Sequence, residues 1–186
     1  MRLIGVAVLL AWVLVVTPAY GYGRLGDPAD ELRVGRWLKG GPVSITEGRG
    51  KNAYLIEFWA SWCGWCDMAT PMLTALQKYY GPRGLVVVGI NVWENNATDG
   101  PGYVASHGDL MEYAVATDNS AHFCESRYMG QFSIGFISSA FLVDKTGVFR
   151  YTGRTIPNDL YPYQVSPTLL QAIEAALPLT ISGPNG

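Results

Sequence analysis

The sequence predicts an α/β domain with a mixed central sheet flanked by helices, in which a helical insertion separates a βαβ half from a ββα half. Three observations carry this. A strand, a helix and a second strand follow one another within 40 residues from Ala53 to Val92. Two later apolar runs bracket a turn containing Gly147, and the last periodic stretch begins with the helix-starting pair Ser166 and Pro167. With 186 residues and 49% apolar side chains, the chain suits one domain and fills a core without disulfide staples.

The first element is expected to lie outside that domain. Residues 1–21, "MRLIGVAVLLAWVLVVTPAYG", place Arg2 before an unbroken apolar run from Leu3 to Val16 and end in the small residues Ala19 and Gly21. That is the pattern of a cleaved secretory signal peptide. The run falls short of the roughly 20 apolar residues a bilayer span needs. The mature chain is therefore expected to be soluble, without a membrane span, and periplasmic or secreted. Residues 22–41 read as a polar, Gly-rich N-terminal lead-in, and the domain is expected over residues 42–179. "RWLK" and "PVSI", separated by Gly40, Gly41 and Pro42, read as small peripheral strands.

"AYLIEFWA", from Ala53, is a short apolar run rich in aromatic and branched residues, as a strand buried on both faces requires. "CDMATPMLTALQKYY" then repeats apolar residues at helical spacing, at Met68, Met72, Ala75, Leu76 and Tyr79, with Pro71 expected to bend it. Gly81, Pro82 and Gly84 end the helix, and "LVVVGINV" supplies a second buried strand over Leu85 to Val92. Such a crossover makes the two strands parallel neighbours. In the insertion, "ENNATDGPG" reads as loop, "DLMEYAVA" as a helix end running into a short strand, and "SAHFCESRYM" as one amphipathic helix. "AFLVD", "KTG" and "VFRYT" form a hairpin whose Gly147 is suited to positive φ. The last helix runs from Ser166 to Leu177 with Leu169, Leu170, Ile173 and Leu177 on one face, and residues 180–186 form a frayed tail.

Charge excludes one class of partner. The net charge is −2, 15% of residues are charged and no Lys/Arg run occurs, so nothing provides an electrostatic footprint for nucleic acid.

The chemistry gathers in "FWASWCGWCDMATP". In an open α/β sheet, function collects beyond the carboxyl ends of the parallel strands. Cys63 falls there, at the start of a helix whose free N–H groups and dipole stabilise a thiolate. It is the expected nucleophile. Cys66 lies one turn deeper on the same face, near enough to close a disulfide and less open to solvent, and is the expected resolving thiol. Outside the cytosol such a disulfide state is accessible. A structural metal site would need further ligands, and Cys124, His107 and His122 stand at no standard partner spacing. Redox function leads; a metal site and an inert crosslink are its alternatives.

"IEFWASWCGWCDMATPML" resembles the active-site segment of the thioredoxin superfamily: a strand, a tryptophan, CxxC, and a proline five residues after the second cysteine, Pro71 here. "ISSAFLVDKTGVF" resembles the strand and hairpin that flank that site. The Gly64–Trp65 dipeptide, the signal peptide and the long insertion are similar to the TlpA/ResA-like extracytoplasmic branch. The resemblance implies a thioredoxin-like fold and a Cys63–Cys66 redox disulfide. It implies substrate-facing roles for Trp62, Trp65 and Ser138, and a proton-relay role for Glu57, a buried acid behind the disulfide that would serve Cys66.

Three departures from the family pattern stand out. The family's cis-proline is replaced by Ser138, where a cis bond is costlier than before proline, so either isomer is open. Ala69 stands where cytochrome-maturation members often carry a glutamate. No lysine in "LVVVGINV" faces Glu57. Cys124 reads as a small buried apolar residue, Glu94 as a solvated loop acid at the rim that could modulate the site, and Asn96-Ala97-Thr98 as a glycosylation sequon.

The reading is an extracytoplasmic thiol-disulfide oxidoreductase that reduces protein disulfides through a mixed disulfide and uses no cofactor. Its partners are protein thiol or disulfide substrates and an upstream electron donor or acceptor protein. The alternative is a soft-metal module holding copper or an iron-sulfur cluster on Cys63 and Cys66.

Overall fold

The computed structural model describes residues 23–157 and 164–177, so the expected signal peptide and frayed tail lie outside the described residues. Six strands form one mixed sheet: β1 Val34–Lys39, β2 Ala53–Trp59, β3 Leu85–Asn91, β4 Ala114–Asp118, β5 Ser139–Val143 and β6 Phe149–Gly153, in the order β1-β4-β3-β2-β5-β6. The helices are α1 Gly64–Tyr80, α2 Asp99–Ser106 and α3 Pro167–Ala176. β2 pairs in parallel with β3 and antiparallel with β5, and every one of its seven residues is buried. The continuous apolar run needed that double coverage.

β2 alternates between two faces. Phe58 points to one, where it meets Tyr128, Phe132, Phe141 and Phe149 in a cluster with ring centroids 5.0 to 6.1 Å apart, mostly edge to face. Glu57 and Trp59 point to the other. Trp59 packs on Tyr103, whose hydroxyl donates to Asp67 in the first turn of α1 (2.6 Å), which places α1 and the start of α2 on that side. The two-pronged Arg83–Glu174 pair ties α3 to the turn that follows α1.

The sheet takes in the small strand expected at "RWLK" and the short strand expected in "DLMEYAVA". The lead-in supplies β1, an edge strand antiparallel to β4. The insertion is not only helical, because β4 pairs in parallel with β3 inside it. "PVSI" forms no strand: the Ile45 and Thr46 N–H groups donate to the Glu31 carboxylate (2.8 and 2.9 Å), along with Leu32 N–H and the Ser44 hydroxyl. Burial alone would raise the pKa of Glu31, but these donors outweigh it and hold the carboxyl at about 2.

"SAHFCESRYM" forms a π-helical turn over Glu125–Gly130 in place of an α-helix. Neighbours on a π-helical face are four and five residues apart, so Cys124, Tyr128 and Met129 all reach the core. Asp118 and Asn119 cap its start by accepting N–H groups from Ala121, Phe123, Cys124 and Glu125. α1 runs through Pro71 unbroken. Gly147 has φ +84°, and Ser166 caps α3 by accepting from Leu169 N–H (3.4 Å), as their sequence positions indicated.

Truncating Phe141, which is fully buried, is expected to lower stability by about 3–5 kcal/mol. Urea unfolding of Phe141→Ala should show an earlier midpoint at unchanged slope; a loss under about 1 kcal/mol would show that the aromatic cluster does not anchor the core.

Candidate functional site

Cys63 occupies the N-cap of α1 with extended backbone (φ −91°, ψ 103°), and its Sγ accepts the Cys66 N–H at 3.2 Å. The two sulfurs are bonded, across Cα atoms 5.2 Å apart. In the reduced state that N–H and the helix dipole would act on the Cys63 sulfur and favour its anion. Both cysteines are shielded, Cys66 (3% exposed) more than Cys63 (7%). Trp62, by contrast, is 54% exposed, an apolar surface beside the sulfurs, while Trp65 is partly buried against the core.

The loops on either side of Trp62 are joined. Its indole N–H donates to Trp93 O (2.8 Å), and the Glu94 carboxylate accepts both the Ser61 N–H and the Ser61 hydroxyl (2.7 Å each). Asn91 adds a third donor to Glu94 at 2.6 Å. The solvated loop acid expected at Glu94 is therefore a staple between the segment after β3 and the one before Cys63. Only the tertiary fold brings Ser61 and Glu94 together. A cavity of about 620 Å³ opens beside this staple, lined by Trp93, Glu94, Arg36, Thr98, Asp118 and His122 among others.

Glu57 is buried in β2. Its neighbour across β3 is Gly89, where a Cβ would lie 3.0 Å from the Trp59 indole and 3.2 Å from the Tyr113 ring, so the β3 residue opposite the acid offers it no side chain. Its partners come from the opposite side. Ser138, at the end of the loop before β5, donates its hydroxyl to Oε1, and Thr155, just beyond β6, donates to Oε2 at 2.7 Å. Desolvation pushes the Glu57 pKa up, the two hydroxyls and the Arg154 charge pull it back, and the balance lies at about 7. The Ile137–Ser138 peptide is cis. Thr155 and Arg154 escaped sequence reading, because nothing in "RYTGRTI" signals contact with a residue about a hundred positions earlier.

The remaining candidates lie away from the sulfurs. His107 stacks on Tyr103 (3.8 Å) and approaches Asp67 at 3.5 Å. Cys124 is buried, which pushes its thiol up to about 12. Among the described residues Asp118, His122 and Glu125 bring ligand atoms within 4.8 Å of one another, yet the Asp118 oxygens already accept the N–H groups of Asn119, Cys124 and Glu125. That trio reads as the cap of the π-helical turn.

Residues 45–110 match the family model for thioredoxin. Among curated proteins, the chain is 24% identical over 110 residues to the thiol-disulfide oxidoreductase ResA of Bacillus thuringiensis, covering 59% of this chain and 58% of that protein. It is 28% identical over 135 residues to protein FixW of Rhizobium leguminosarum, covering 70% and 60%. The chain thus spans about three fifths of the length of these relatives. Among solved structures, the thioredoxin domain of a thiol-disulfide oxidoreductase from Bacteroides vulgatus superposes with a TM-score of 0.61 at 20% identity, covering 82% of this chain and 96% of that one. The fold, the CxxC pair at a helix start and these likenesses agree: the chain has a thioredoxin-like fold, with a segment over residues 45–110 that matches the thioredoxin family model and is similar to ResA.

Proposed function

We propose that the protein is an extracytoplasmic thiol-disulfide oxidoreductase that reduces disulfides of protein substrates. The carrying observation is the Cys63–Cys66 bond at the N-terminus of α1, with a buried carboxyl in the neighbouring strand. The Cys63 thiolate attacks one sulfur of a substrate disulfide, so that a Cys63–substrate bond forms and the substrate's other sulfur leaves as a thiolate. Cys66 then gives its proton to ionised Glu57 and attacks the Cys63 sulfur. The mixed bond breaks, the second substrate thiolate leaves, and the Cys63–Cys66 disulfide remains. The substrate gains two electrons and its thiolates take up two protons. A dithiol donor protein must return two electrons to the pair before the next turn.

The likeness to thiol-disulfide oxidoreductases supports this chemistry and lends nothing to the soft-metal alternative. The exposed Trp62, with Trp65 and the Ser138 loop, would supply the surface on which a partner docks. The signal-peptide reading of residues 1–21 supports the location, and no helix among the described residues is long and apolar enough to cross a membrane.

Cys66→Ala is expected to accumulate mixed disulfides through Cys63 with specific proteins, read by non-reducing electrophoresis and mass spectrometry. Cys63→Ser should abolish both trapping and the reduction of a model protein disulfide. Equal turnover by Cys63→Ser would sink the proposal.

Glu57 gives a pH signature in stability as well as in rate. Burial lifts it from the ordinary 4.5 to about 7, so the protonated acid favours the fold fully below about pH 4.5 and that contribution is lost as pH rises through about 7. Glu57→Gln cannot ionise. Between pH 5 and 8.5, oxidised wild type should lose on the order of 3 kcal/mol relative to Glu57→Gln by urea unfolding, and a difference of opposite sign would refute the assignment. In the rate of mixed-disulfide resolution, the same variant should erase the rise near pH 7 and slow the step by about 10²-fold above it.

A further inference from the structure

The family pattern puts a proline where this chain has Ser138, and proline has no hydroxyl to offer. Here the Ser138 hydroxyl, 3% exposed as a residue, is spent on Glu57 Oε1, and the fully buried Thr155 serves Oε2. The two donors come from the two ends of the β5–β6 hairpin, so both carboxylate oxygens are held from one side. On the other side Gly89, Trp59 and Tyr113 offer surface without a hydrogen bond to the acid; the Trp59 indole N–H itself has no partner among the described residues. Among ionisable groups, the Arg154 charge beyond β6 lowers the Glu57 pKa, while Tyr151 on β6 and Tyr113 before β4 stay neutral, their hydroxyls raised in part by the Glu57 charge. Arg154 also lies over the Phe136 ring (4.2 Å) and donates to Ile137 O (3.4 Å). The dipeptide Arg154–Thr155 therefore grips the acid and the Ser138 loop together.

We infer that Ser138 and Thr155 are positioning residues that hold Glu57 in its ionised, proton-accepting form. Two O–H donors can aim at a carboxylate at once. When the acid takes a proton, one hydroxyl must turn and accept, which serine and threonine can do and alanine, valine and proline cannot. Removing either hydroxyl withdraws a bond from the charged form and leaves the protonated form less affected. This rests on the proton role proposed above for Glu57, but it concerns a quantity that can be measured without turnover.

The test is a carboxyl ¹³C titration of Glu57 in the oxidised, full-length protein, from pH 4 to 10, in wild type, Ser138→Ala, Thr155→Val and Ser138→Thr. The expected result is a midpoint raised by about one pH unit, about tenfold in proton affinity, in Ser138→Ala and in Thr155→Val. Ser138→Thr, which keeps the hydroxyl, should stay within a few tenths of wild type. The two hydroxyls lie on different segments, so either folded variant suffices, and the same spectra report folding. An unchanged midpoint in a folded variant overturns the inference, leaving Ser138 as a filler of the proline's volume. Loss of disulfide reduction by wild type with the midpoint shifts intact would instead remove the proposed function and keep the inference.

Discussion

A carboxyl group in the middle of a fully buried strand is the constraint around which the rest of this structure is arranged. Burying an ionisable group without partners is costly, and the cost falls as hydrogen-bond donors are supplied. β2 lies between β3 and β5, so partners for Glu57 can come from either flank. The β3 flank is closed: Gly89 stands opposite, and the space above it is filled by aromatic rings. Donors must come from the β5–β6 side, which explains why Ser138 and Thr155 converge from the two ends of one hairpin. It also explains the balance at about 7, since desolvation is only partly offset by two neutral hydroxyls and a more distant guanidinium.

The sulfurs are held by a second, separate set of bonds. Glu94 takes three donors from Ser61 and Asn91, and the Trp62 indole is tied to Trp93 O, so the approach to Cys63 is braced by the segment that follows β3. Asp67, one residue beyond Cys66, is linked to Tyr103 and so to α2. The helix start that would stabilise the thiolate is thus fixed from both sides. Preorganisation of this kind matters because the dipole acts only within the first turn.

Local elements and the parallel β2–β3 pairing were legible in the sequence; the side-chain bonds between distant segments were not. The β2 run, the helix after Cys63, the Gly147 turn and the Ser166–Pro167 start are each specified by neighbours in the chain, and the structure has them near their expected places. "PVSI" misled because the Ser44 hydroxyl and the Ile45 and Thr46 N–H groups go to the Glu31 carboxylate, which periodicity does not read. The π-helical turn kept the amphipathic composition of an α-helix while changing its period. Within the site, Cys63 and Cys66 stood out by type and spacing, and Glu57 through the family resemblance. Thr155 and Arg154 are ordinary residues of a hairpin exit, made relevant only by where that exit folds. Ser138 was visible as a departure from the family pattern, yet its bond to Glu57 was not, because 81 residues separate them.

The exchange of proline for serine couples two things that proline would keep apart. The resemblance implies a substrate-facing role at this position and a proton role for the buried acid at the resolving thiol. Here one residue belongs to both. A partner that pairs with the Ser138 backbone must act on a side chain already bonded to Glu57, and Arg154, through Ile137 O and Phe136, fixes the same loop. If docking favours the arrangement in which the Ser138 hydroxyl donates, it favours ionised Glu57; by reciprocity, ionised Glu57 then favours docking. Such linkage would make the acid most able to receive the Cys66 proton while substrate is held, which is the interval in which the mixed disulfide has to be resolved.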